Sequence, residues 1–455
     1  MENLLNQLEA KYLTFKLGEE QREALLSVFS FIMTPGHASF TVSGRPGVGK
    51  SSICKIITRF LEEKDINYQL ATPTHKSKKI LANFTGREVI TIHQLLTLKP
   101  SIDIMDLDMK DLQFSISSSD SIPRNGVLMI DECSMINNDL FDAIEKSCKS
   151  KNCKFIAFGD ACQIKPVKQR GLAKTFQLEN SFELATVYRQ IGENCVRDLL
   201  EILRKRPLSQ FESQTSKDGN IEVFTDYKDL VYKILPIFEK SIHDHDPNKI
   251  KLIAYTNKRV QAFNRVIRNL LFGDDIQEYM PGDILFGYDN SKGIENAGDY
   301  QIQHCYKTEE KIGHQIMIVW YLEVFNFDLD KMQTLCVLSI ENSKEAFENL
   351  ACEIEDIRVN AINASGFRRK TLWTQYYRLI ESFLSPIDIV LDGRTVRCKS
   401  IDYGYAITAH KSQSSTFDYV AVDIGNILKC PDKQELRQME YVAISRTRKD
   451  AFILI

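Results

Sequence analysis

The sequence lacks the features that mark membrane, secreted and zinc-binding proteins. No apolar run approaches the ~18–20 residues that a membrane-spanning helix needs, and the start of the chain, Met1-Glu2-Asn3-Leu4, lacks a signal peptide's apolar core. The eleven cysteines are scattered singly, without a Cys-x-x-Cys pair, so we expect reduced thiols packed as small apolar groups. These absences predict a soluble, cytoplasmic protein.

An excess of positive charge is also missing. The formal net charge is −3 and the pI is about 6.3, so the overall field cannot attract a polyanion and any nucleic-acid contact must come from a local groove. Charged residues make up 26% and hydrophobic residues 43%, which is typical of a globular protein. A length of 455 residues allows about three domains, and no internal repeat or low-complexity linker is evident.

A phosphate-binding motif is present in full. Residues 44–51, Gly-Arg-Pro-Gly-Val-Gly-Lys-Ser, fit the pattern G-x-x-x-x-G-K-[ST] between a β-prone run at 39–42 and a helical segment at 52–61, the context that this motif requires. Loop N–H groups and the helix N-terminus would bind phosphates, Lys50 would reach the β- and γ-phosphates, and Ser51 would ligate Mg²⁺. The predicted nucleotide-binding residues are Gly44, Pro46, Gly47, Val48, Gly49, Lys50, Ser51 and Ser52.

A second segment supplies carboxylates for hydrolysis. The apolar run Val127–Ile130 leads directly into Asp131 and Glu132; we expect Asp131 to complete the Mg²⁺ shell and Glu132 to orient or deprotonate the attacking water. Hydrolysis also needs positive charge at the γ-phosphate. Arg189 and Arg446 lie where they could supply it, although an isolated arginine is more often a surface residue.

The order of elements indicates an α/β fold. Buried strands are predicted at 68–72, 127–130 and 154–158, each followed by a polar loop, and this alternation favours a parallel sheet with helices on both faces. A second α/β region starts near residue 189, includes a strand at 251–256 and resumes at 405–455. Residues 99–122 are predicted to form a polar insertion, and residues 281–399 a β-rich one.

Ten segments follow one another in a fixed order and spacing over residues 17–455. Their sequences are LGEEQ at 17–21, the phosphate loop, ATPTHK at 71–76, TIHQLL at 91–96, DECSM at 131–135, GDACQIKPV at 159–167, TVYRQ at 186–190, YTNK at 255–258, TAHKSQ at 408–413 and YVAISR at 441–446. In these motifs the chain resembles the superfamily 1 helicases, and within them the RecD-like group, above all the Dda-type DNA helicases of tailed bacteriophages.

The resemblance implies a fold and an activity. It implies two RecA-like P-loop NTPase domains, at 1–98 with 123–188 and at 189–280 with 400–455, a β-hairpin pin at 99–122 that splits the duplex, and an SH3-like module at 281–399 that braces it. The implied activity is that of an ATP-dependent DNA helicase. The Gly-Asp-x-x-Gln-x-x-Pro-Val form at 159–167 resembles that of the 5′→3′ branch.

The resemblance also assigns roles at the nucleotide site, with ATP and Mg²⁺ as cofactors. Gln21 would read the adenine, Gln163 would sense the γ-phosphate, and Arg189 and Arg446 would reach the nucleotide from the second domain. The catalytic set is then Lys50, Asp131, Glu132, Gln163, Arg189 and Arg446. Family members usually carry Gly where Ser414 stands, and serine tolerates positive φ poorly, so we expect this loop to differ in shape.

DNA contacts are implied on both domains. They would come from Thr72, Pro73, Thr74, His75, Thr91, His93, Thr256, Asn257, Thr408, His410, Lys411 and Ser412; such side chains bind phosphates or stack on bases without reading sequence. Alone, His75 or His93 would more often have a capping or core role. Phe114 is the predicted wedge on the pin, with packing inside the insertion as an equal alternative. For Trp373 and its tyrosine neighbours, core packing is favoured over DNA contact.

Two other functions stay open. One is an RNA helicase of the same branch, although the zinc or basic accessory domains common in those enzymes are absent. The other is a P-loop assembly ATPase that unwinds nothing. The expected partners are single-stranded and forked DNA, together with a single-strand-binding protein or replication and recombination proteins; we expect a monomer without membrane contact, in the host cytoplasm if the chain is phage-encoded.

Overall fold

The computed structural model of the chain describes residues 1–96, 98–99, 115–116, 121–165, 171–186, 194–273, 276–288, 293–391, 394–396 and 399–455. The chain forms two compact units: unit 1 comprises Met1–Glu222, Gln413–Ser415 and Ile427–Asp450, and unit 2 comprises Val223–Ser412, Thr416–Asn426 and Ala451–Ile455. Within the described ranges, no helix is both long and apolar enough to span a membrane.

Thirteen helices are found in the described part of the chain. In order they are α1 (Glu2–Tyr12), α2 (Glu19–Met33), α3 (Lys50–Glu63), α4 (His75–Thr85), α5 (Ile92–Leu95), α6 (Asn138–Ser150), α7 (Cys195–Lys205), α8 (Tyr227–His243), α9 (Asn257–Phe272), α10 (Ile340–Asn363), α11 (Gly366–Ile380), α12 (Ile424–Ile427) and α13 (Lys433–Ser445). Short 3₁₀ turns lie at Cys133–Met135 and Lys174–Phe176.

The described residues also form twenty strands. In order they are β1 (Ser39–Gly44), β2 (Tyr68–Thr72), β3 (Val89–Thr91), β4 (Leu98–Lys99), β5 (Ser115–Ile116), β6 (Val127–Ile130), β7 (Lys154–Gly159), β8 (Asn180–Leu184), β9 (Ile221–Phe224), β10 (Ile250–Ala254), β11 (Ile284–Gly287), β12 (Asp299–Ile312), β13 (Gln315–Asn326), β14 (Lys331–Leu338), β15 (Ile389–Leu391), β16 (Arg394–Val396), β17 (Ile401–Tyr403), β18 (Ala406–Thr408), β19 (Tyr419–Asp423) and β20 (Ala451–Leu454).

Unit 1 is built on a six-stranded parallel sheet. Its strand order is β3-β2-β6-β7-β1-β8, and every pair of neighbours runs parallel. The two central strands β6 and β7 are buried along their whole length, which explains why their sequences are almost continuously apolar. Helices α2 and α3 bury apolar side chains against this sheet, and the Phe29 and Phe60 rings stack with centroids 3.9 Å apart.

Unit 2 contains a second α/β sheet and an antiparallel one. The first has the order β18-β10-β19-β20-β9, in which β18, β10, β19 and β20 are parallel. The second has the order β14-β13-β12-β11-β17 and is antiparallel throughout. The expectation of two parallel α/β sheets with an additional β-rich element is therefore confirmed.

The insertion after residue 281 is not β-rich along its whole length. Residues 340–380 form the helices α10 and α11, which pack against each other; their sequence is dominated by residues with good helix propensity, such as Glu, Ala, Leu, Arg and Lys. Trp373 and Tyr376 are buried, and their rings meet edge to face at 5.3 Å. The core role favoured for them is thereby confirmed.

The remaining domain expectations are only partly covered. The ends of the predicted pin pair antiparallel, Leu98 with Ile116 and Lys99 with Ser115, while residues 100–114 and 117–120 lie outside the described ranges. Residues 194–222, 413–415 and 427–450 were expected in the second domain but group with unit 1, and within that group α13 packs against α7. The boundaries of the RecA-like domains stay a prediction.

Candidate active site

The phosphate loop joins β1 to α3 in unit 1. Gly47 and Gly49 have φ values of 87° and 90°, a conformation that glycine adopts without strain. The Nζ atom of Lys50 donates to the carbonyl oxygens of Gly44 and Arg45, at 2.6 and 3.1 Å. The ammonium group therefore lies inside the loop, next to the backbone N–H groups at the start of α3, which is the arrangement that binds phosphates.

Gln21 braces this loop from α2. Its side-chain Nε2 donates to the carbonyl oxygen of Val48 at 2.8 Å, and its Oε1 accepts from the amide of Gly18 at 3.0 Å. A Cβ atom on Gly49 would lie 2.2 Å from the same Nε2, so a side chain there would displace the Gln21 amide, and the positive φ also favours glycine. Both ends of the Gln21 amide thus have protein partners, and its reading of adenine stays a prediction.

Asp131 and Glu132 follow β6, two strands from β1 in the sheet. The Asp131 amide donates to the carbonyl oxygen of Ala71 at 3.1 Å, and the Asp131 Oδ1 atom accepts from the Glu132 amide at 2.9 Å. Burial raises the pKa of Asp131 and the Glu132 carboxylate raises it further, whereas the Lys50 charge lowers it. These charges therefore act on one another at the carboxyl edge of the sheet.

Glu132 has two unusual features. Its φ is 57°, a strained value for a residue with a side chain, and its Oε2 atom is buried without a hydrogen-bond partner among the described residues. A buried carboxylate oxygen without a donor is costly. The geometry is that of a group prepared for a water molecule or another ligand that supplies the donor.

Gln163 and Arg446 lie in the same unit as these carboxylates. Gln163 is buried, and its Oε1 accepts from the Ser134 hydroxyl at 3.4 Å. The buried Arg446 guanidinium donates to the carbonyl oxygen of Val442 at 3.0 Å and to the Ser445 hydroxyl at 2.8 Å. Burial lowers the pKa of Arg446 while the Glu132 charge opposes that change, so the structure brings Arg446 within electrostatic range of Glu132.

The loop with the unusual serine packs on unit 1. Ser414 has a φ of 62°, so serine adopts here the left-handed conformation that glycine favours, at the cost of strain. Its neighbour Gln413 donates through Nε2 to the carbonyl oxygen of Ile164 at 2.8 Å. The loop is thereby fixed beside the segment that contains Gln163.

Sequence reasoning missed one partly buried group, Arg204 on α7. Its NH1 atom lies 3.2 and 3.3 Å from the two carboxylate oxygens of Asp160 and 3.1 Å from the hydroxyl of Tyr441. Asp160 and Tyr441 both belong to recognised motifs, but Arg204 lies in a helix that carries none. The only feature of the sequence that points to Arg204 is a positive charge beside the apolar face of an amphipathic helix.

The predicted DNA-binding segments of unit 1 follow β2 and β3. In the sheet β2 pairs with β6, and β3 pairs with β2. Thr74 caps α4 by accepting from the Ser77 amide at 3.2 Å, and Thr91 caps α5 by accepting from the Gln94 amide at 3.2 Å. Pro73 and His75 are partly exposed beside Thr74, whereas Thr72 is fully buried and donates to the Thr74 carbonyl oxygen. Thr72 therefore shapes this loop from inside.

Unit 2 repeats this pattern at β10 and β18, which are neighbours in its parallel sheet. Thr256 caps α9 by accepting from the Arg259 amide at 3.3 Å, with Asn257 exposed after it. Thr408 accepts from the Lys411 amide at 3.3 Å, and the Lys411 Nζ atom donates to Asn296 Oδ1 at 2.5 Å. These segments lie together at one sheet edge; His410 there is partly exposed, and Ser412 is buried.

Some predicted site residues cannot be placed. Arg189, Phe114 and the Pro166-Val167 end of the third motif lie outside the described residues, and the His93 side chain is not described. Among the nucleotide-binding residues, Pro46 is exposed, Ser51 is partly exposed, and Val48 and Ser52 are buried. The roles of all these residues stay predictions.

Two family models match the chain. Residues 16–226 match the AAA domain, and residues 403–454 match the UvrD-like helicase C-terminal domain. These ranges contain the phosphate loop and the Arg446 segment respectively. Together with the relatives below, these matches support a superfamily 1 helicase close to the Dda and RecD-like enzymes.

Several individual proteins are similar to this chain. "Uncharacterized protein R530" of Acanthamoeba polyphaga mimivirus is 23% identical over 479 residues, which cover 92% of this chain and 96% of the relative. The ATP-dependent DNA helicase dda of Enterobacteria phage T4 is 27% identical over 280 residues, 59% of this chain and 60% of the phage protein. The Pif1 helicase from Bacteroides, solved with ADP-AlF3 and ssDNA, shares the fold with a TM-score of 0.51 at 18% identity, covering 96% of this chain and 92% of that one.

The donors at this helicase's phosphate loop fit Mg²⁺. Mg²⁺ is usually held by one or two protein oxygens together with substrate phosphates and water, and Ser51 and Asp131 would supply a hydroxyl and a carboxylate. Within the described ranges, no group of three or more His, Cys, Asp or Glu side chains could hold a metal ion. A hydroxyl and a carboxylate are the kind of ligands that Mg²⁺ takes together with nucleotide phosphates.

Proposed function

We propose that this superfamily 1 helicase hydrolyses ATP and uses the energy to move 5′→3′ along single-stranded DNA and separate duplex strands. One observation carries the proposal: the Asp131 amide donates to the Ala71 carbonyl oxygen at 3.1 Å. This bond joins the loop of the hydrolytic carboxylates to the segment 72–75, the predicted DNA contact. The hydrolytic carboxylates and the predicted DNA contact therefore follow adjacent parallel strands, β6 and β2, of one sheet.

The residues of the site have separate roles in this proposal. Mg²⁺, held by Ser51 and Asp131, would neutralise charge on the phosphates. Glu132, with its buried and unpartnered Oε2, would accept a proton from the attacking water. Lys50 and Arg446 would stabilise the charge that develops on the γ-phosphate, and Gln163 would sense it.

Strand binding would not depend on base sequence. The segments after β2 and β10 both begin helices with a capping threonine, and helix N-termini bind phosphates through backbone N–H groups. A grip built this way needs few cations, which is consistent with a net charge of −3. The 5′→3′ direction is supported by the Gly-Asp-x-x-Gln-x-x-Pro-Val form at 159–167, which resembles that of the 5′→3′ branch.

The relatives in a phage and a mimivirus support a proposal for the biological setting. We propose a role in replication or recombination of a phage or virus, in the host cytoplasm. Its DNA partners would be single strands and forks, and displacement of bound proteins and contact with a single-strand-binding protein would accompany movement. The helicase would act as a monomer.

Tailed duplexes test the function and its direction. Partial duplexes with only a 5′ or only a 3′ single-stranded tail are incubated with ATP and Mg²⁺, and ATP hydrolysis is measured with poly(dT), poly(U) or no strand. Lys50→Ala should abolish both activities, while Lys64→Ala, at the exposed C-terminal end of the same helix, should behave as wild type.

Each result of this assay decides one element of the proposal. Unwinding that requires the 5′ tail supports the direction, and unwinding that requires the 3′ tail overturns it. Stronger stimulation by poly(U) than by poly(dT) would indicate an RNA helicase. An ATPase that no single strand stimulates would indicate an assembly ATPase.

A further inference from the structure

Three separate segments of unit 1 meet at one buried carboxylate, that of Asp160. The Arg204 NH1 atom lies 3.2 Å from Asp160 Oδ1 and 3.3 Å from Oδ2, and the Tyr441 hydroxyl donates to Oδ2 at 2.8 Å. Arg204 NH1 also donates to the Tyr441 hydroxyl oxygen at 3.1 Å. The three side chains form a closed triangle of contacts.

Asp160 and Tyr441 are buried, Arg204 is partly buried, and the charges of Asp160 and Arg204 are matched. Asp160 is 0% exposed and Tyr441 is 2% exposed, and the guanidinium of Arg204 also lies over the Tyr441 ring, 5.6 Å from its centroid. The negative charge of Asp160 raises the pKa of Arg204 against the effect of burial. Arg204 thus supplies the cation without which Asp160 would be a buried, uncompensated charge.

Asp160 and Tyr441, the two partners of Arg204, are each connected to a residue that is predicted to act at the γ-phosphate. The backbone carbonyl oxygen of Asp160 accepts from the backbone N–H of Gln163 at 3.1 Å. This bond closes the turn on which Gln163 lies. Tyr441 lies on α13, whose C-terminal end is followed directly by Arg446. Arg204 is therefore the side chain that connects the Gln163 turn to the helix that orients Arg446.

The end of α7 is held against α13 by two further contacts. Arg437 NH1 donates to the Arg204 carbonyl oxygen at 3.2 Å, and the Leu208 amide donates to Glu440 Oε2 at 3.1 Å. The backbone of Arg204 is therefore fixed on the same helix as Tyr441. A change in its side chain would alter the link to Asp160 and leave these backbone contacts in place.

We propose that Arg204 is a positioning residue for ATP hydrolysis, which holds Gln163 and Arg446 in the mutual arrangement that stabilises the transition state. The inference rests on the proposed function. The contacts of its NH1 atom are to protein groups, so Arg204 acts through Asp160 and Tyr441 and not on the nucleotide. Loss of this link should lower kcat and leave the KM for ATP nearly unchanged, because the phosphate loop, which binds the ground state, is intact.

The test compares Arg204→Met with Arg204→Lys, Tyr441→Phe and the control Arg206→Met. Arg206 is exposed at the end of the same helix. We expect Arg204→Met to lower the DNA-stimulated kcat by roughly 10²-fold, the size of effect that misplaced catalytic groups produce, with KM changed less than about 3-fold. Arg204→Lys should recover part of the loss, because lysine restores the charge but not the planar fork.

A binding measurement separates positioning from a merely structural role. Affinity for ADP alone should be unchanged in Arg204→Met, while affinity for ADP with aluminium fluoride, which mimics the transferring phosphoryl group, should fall by a similar factor to kcat. Tyr441→Phe, which keeps the buried ion pair and the ring, should show the same selective loss to a smaller degree, and it stays informative if Arg204→Met does not fold.

The proposal is overturned if Arg204→Met or Tyr441→Phe keeps the wild-type kcat, or if ADP affinity falls as much as that of the fluoride complex. Failure of the proposed function would look different. In that case the wild-type protein itself would lack DNA-stimulated hydrolysis, whatever the residue at position 204.

Discussion

Buried carboxylate oxygens have contrasting surroundings at Asp283 in unit 2 and at Glu132 and Glu440 in unit 1. In unit 2, Arg268 on α9 binds both carboxylate oxygens of Asp283 at 2.8 and 3.0 Å, and Asp283 also accepts from the Tyr405 hydroxyl at 2.9 Å. In unit 1, Glu132 Oε2 and Glu440 Oε1 are buried without hydrogen-bond partners in the described part of the chain. Asp283 is thus paired within the protein, whereas Glu132 and Glu440 each keep one carboxylate oxygen without a partner among the described residues.

This difference separates structural groups from functional ones. An unsatisfied buried carboxylate costs stability, so it persists where a ligand or a reaction benefits from it. A fully paired carboxylate such as Asp283 fixes one arrangement of the chain, here the junction between α9 and the antiparallel sheet. Substitutions at a paired carboxylate and at an unpaired one test this difference, when activity and stability are measured separately.

The largest expected effect is on catalysis at Glu132. Glu132→Gln removes the proposed base and should lower the DNA-stimulated kcat by roughly 10²–10⁴-fold. Folding stability should be unchanged or higher, because a neutral amide replaces an unpaired buried oxygen. Steady-state ATPase assays and urea denaturation measure the two quantities.

Glu88→Gln, an exposed position in the same unit, is the matched control and should change neither quantity. If Glu132→Gln were instead strongly destabilising, Glu132 would be a structural carboxylate and the contrast with unit 2 would be lost.

The next effect is on stability at Arg268. Arg268→Met leaves Asp283 buried without its cation and should destabilise unit 2 by roughly 3–5 kcal/mol. Below the denaturation midpoint, ATPase activity without DNA should stay close to that of wild type, because the nucleotide residues belong to unit 1. Chemical denaturation and an ATPase assay on the same sample check both parts.

Arg265→Met, an exposed arginine on the same helix, controls for helix propensity and should cost less than about 0.5 kcal/mol. An Arg268→Met variant as stable as this control would show that the buried pair in unit 2 contributes nothing.

Contiguous patterns in the sequence predicted much of this fold and site. The strands expected at 68–72 and 127–130 have those bounds in the structure, and the phosphate loop lies between a strand and a helix as expected. Each of these features depends on neighbouring residues only. The helices at 340–380 were missed because the short β-prone runs around them suggested one β-rich module.

The Arg204 link was out of reach for a different reason. Arg204 and Tyr441 are 44 and 281 residues from Asp160 in the sequence, and no pattern in the chain pairs them. The Gln21 brace of the phosphate loop likewise spans 27 residues. Long-range side-chain contacts of this kind are decided by packing, which a single sequence does not display.

The smallest expected effect is a pH dependence of folding stability that comes from Glu440. Its Oε1 atom is the second carboxylate oxygen of unit 1 that lacks a hydrogen-bond partner among the described residues. Burial raises its pKa from 4.5 to about 7, although the Leu208 amide opposes the shift. The folded state therefore keeps this proton where the unfolded chain has lost it. The contribution of Glu440 to folding stability is fully present below pH 4.5 and disappears as the pH rises through about 7.

The variant Glu440→Gln is neutral at every pH and can still accept from the Leu208 amide. It should match wild type near pH 5 and exceed its stability at pH 8 by about 1–3 kcal/mol. Urea denaturation at both pH values measures the difference, and Glu212→Gln, an exposed glutamate in the same unit, should show none. An equal effect of Glu440→Gln at the two pH values would mean that the charge of this buried carboxylate is stabilised within the fold. Glu440 would then resemble Asp283, and the contrast would rest on Glu132.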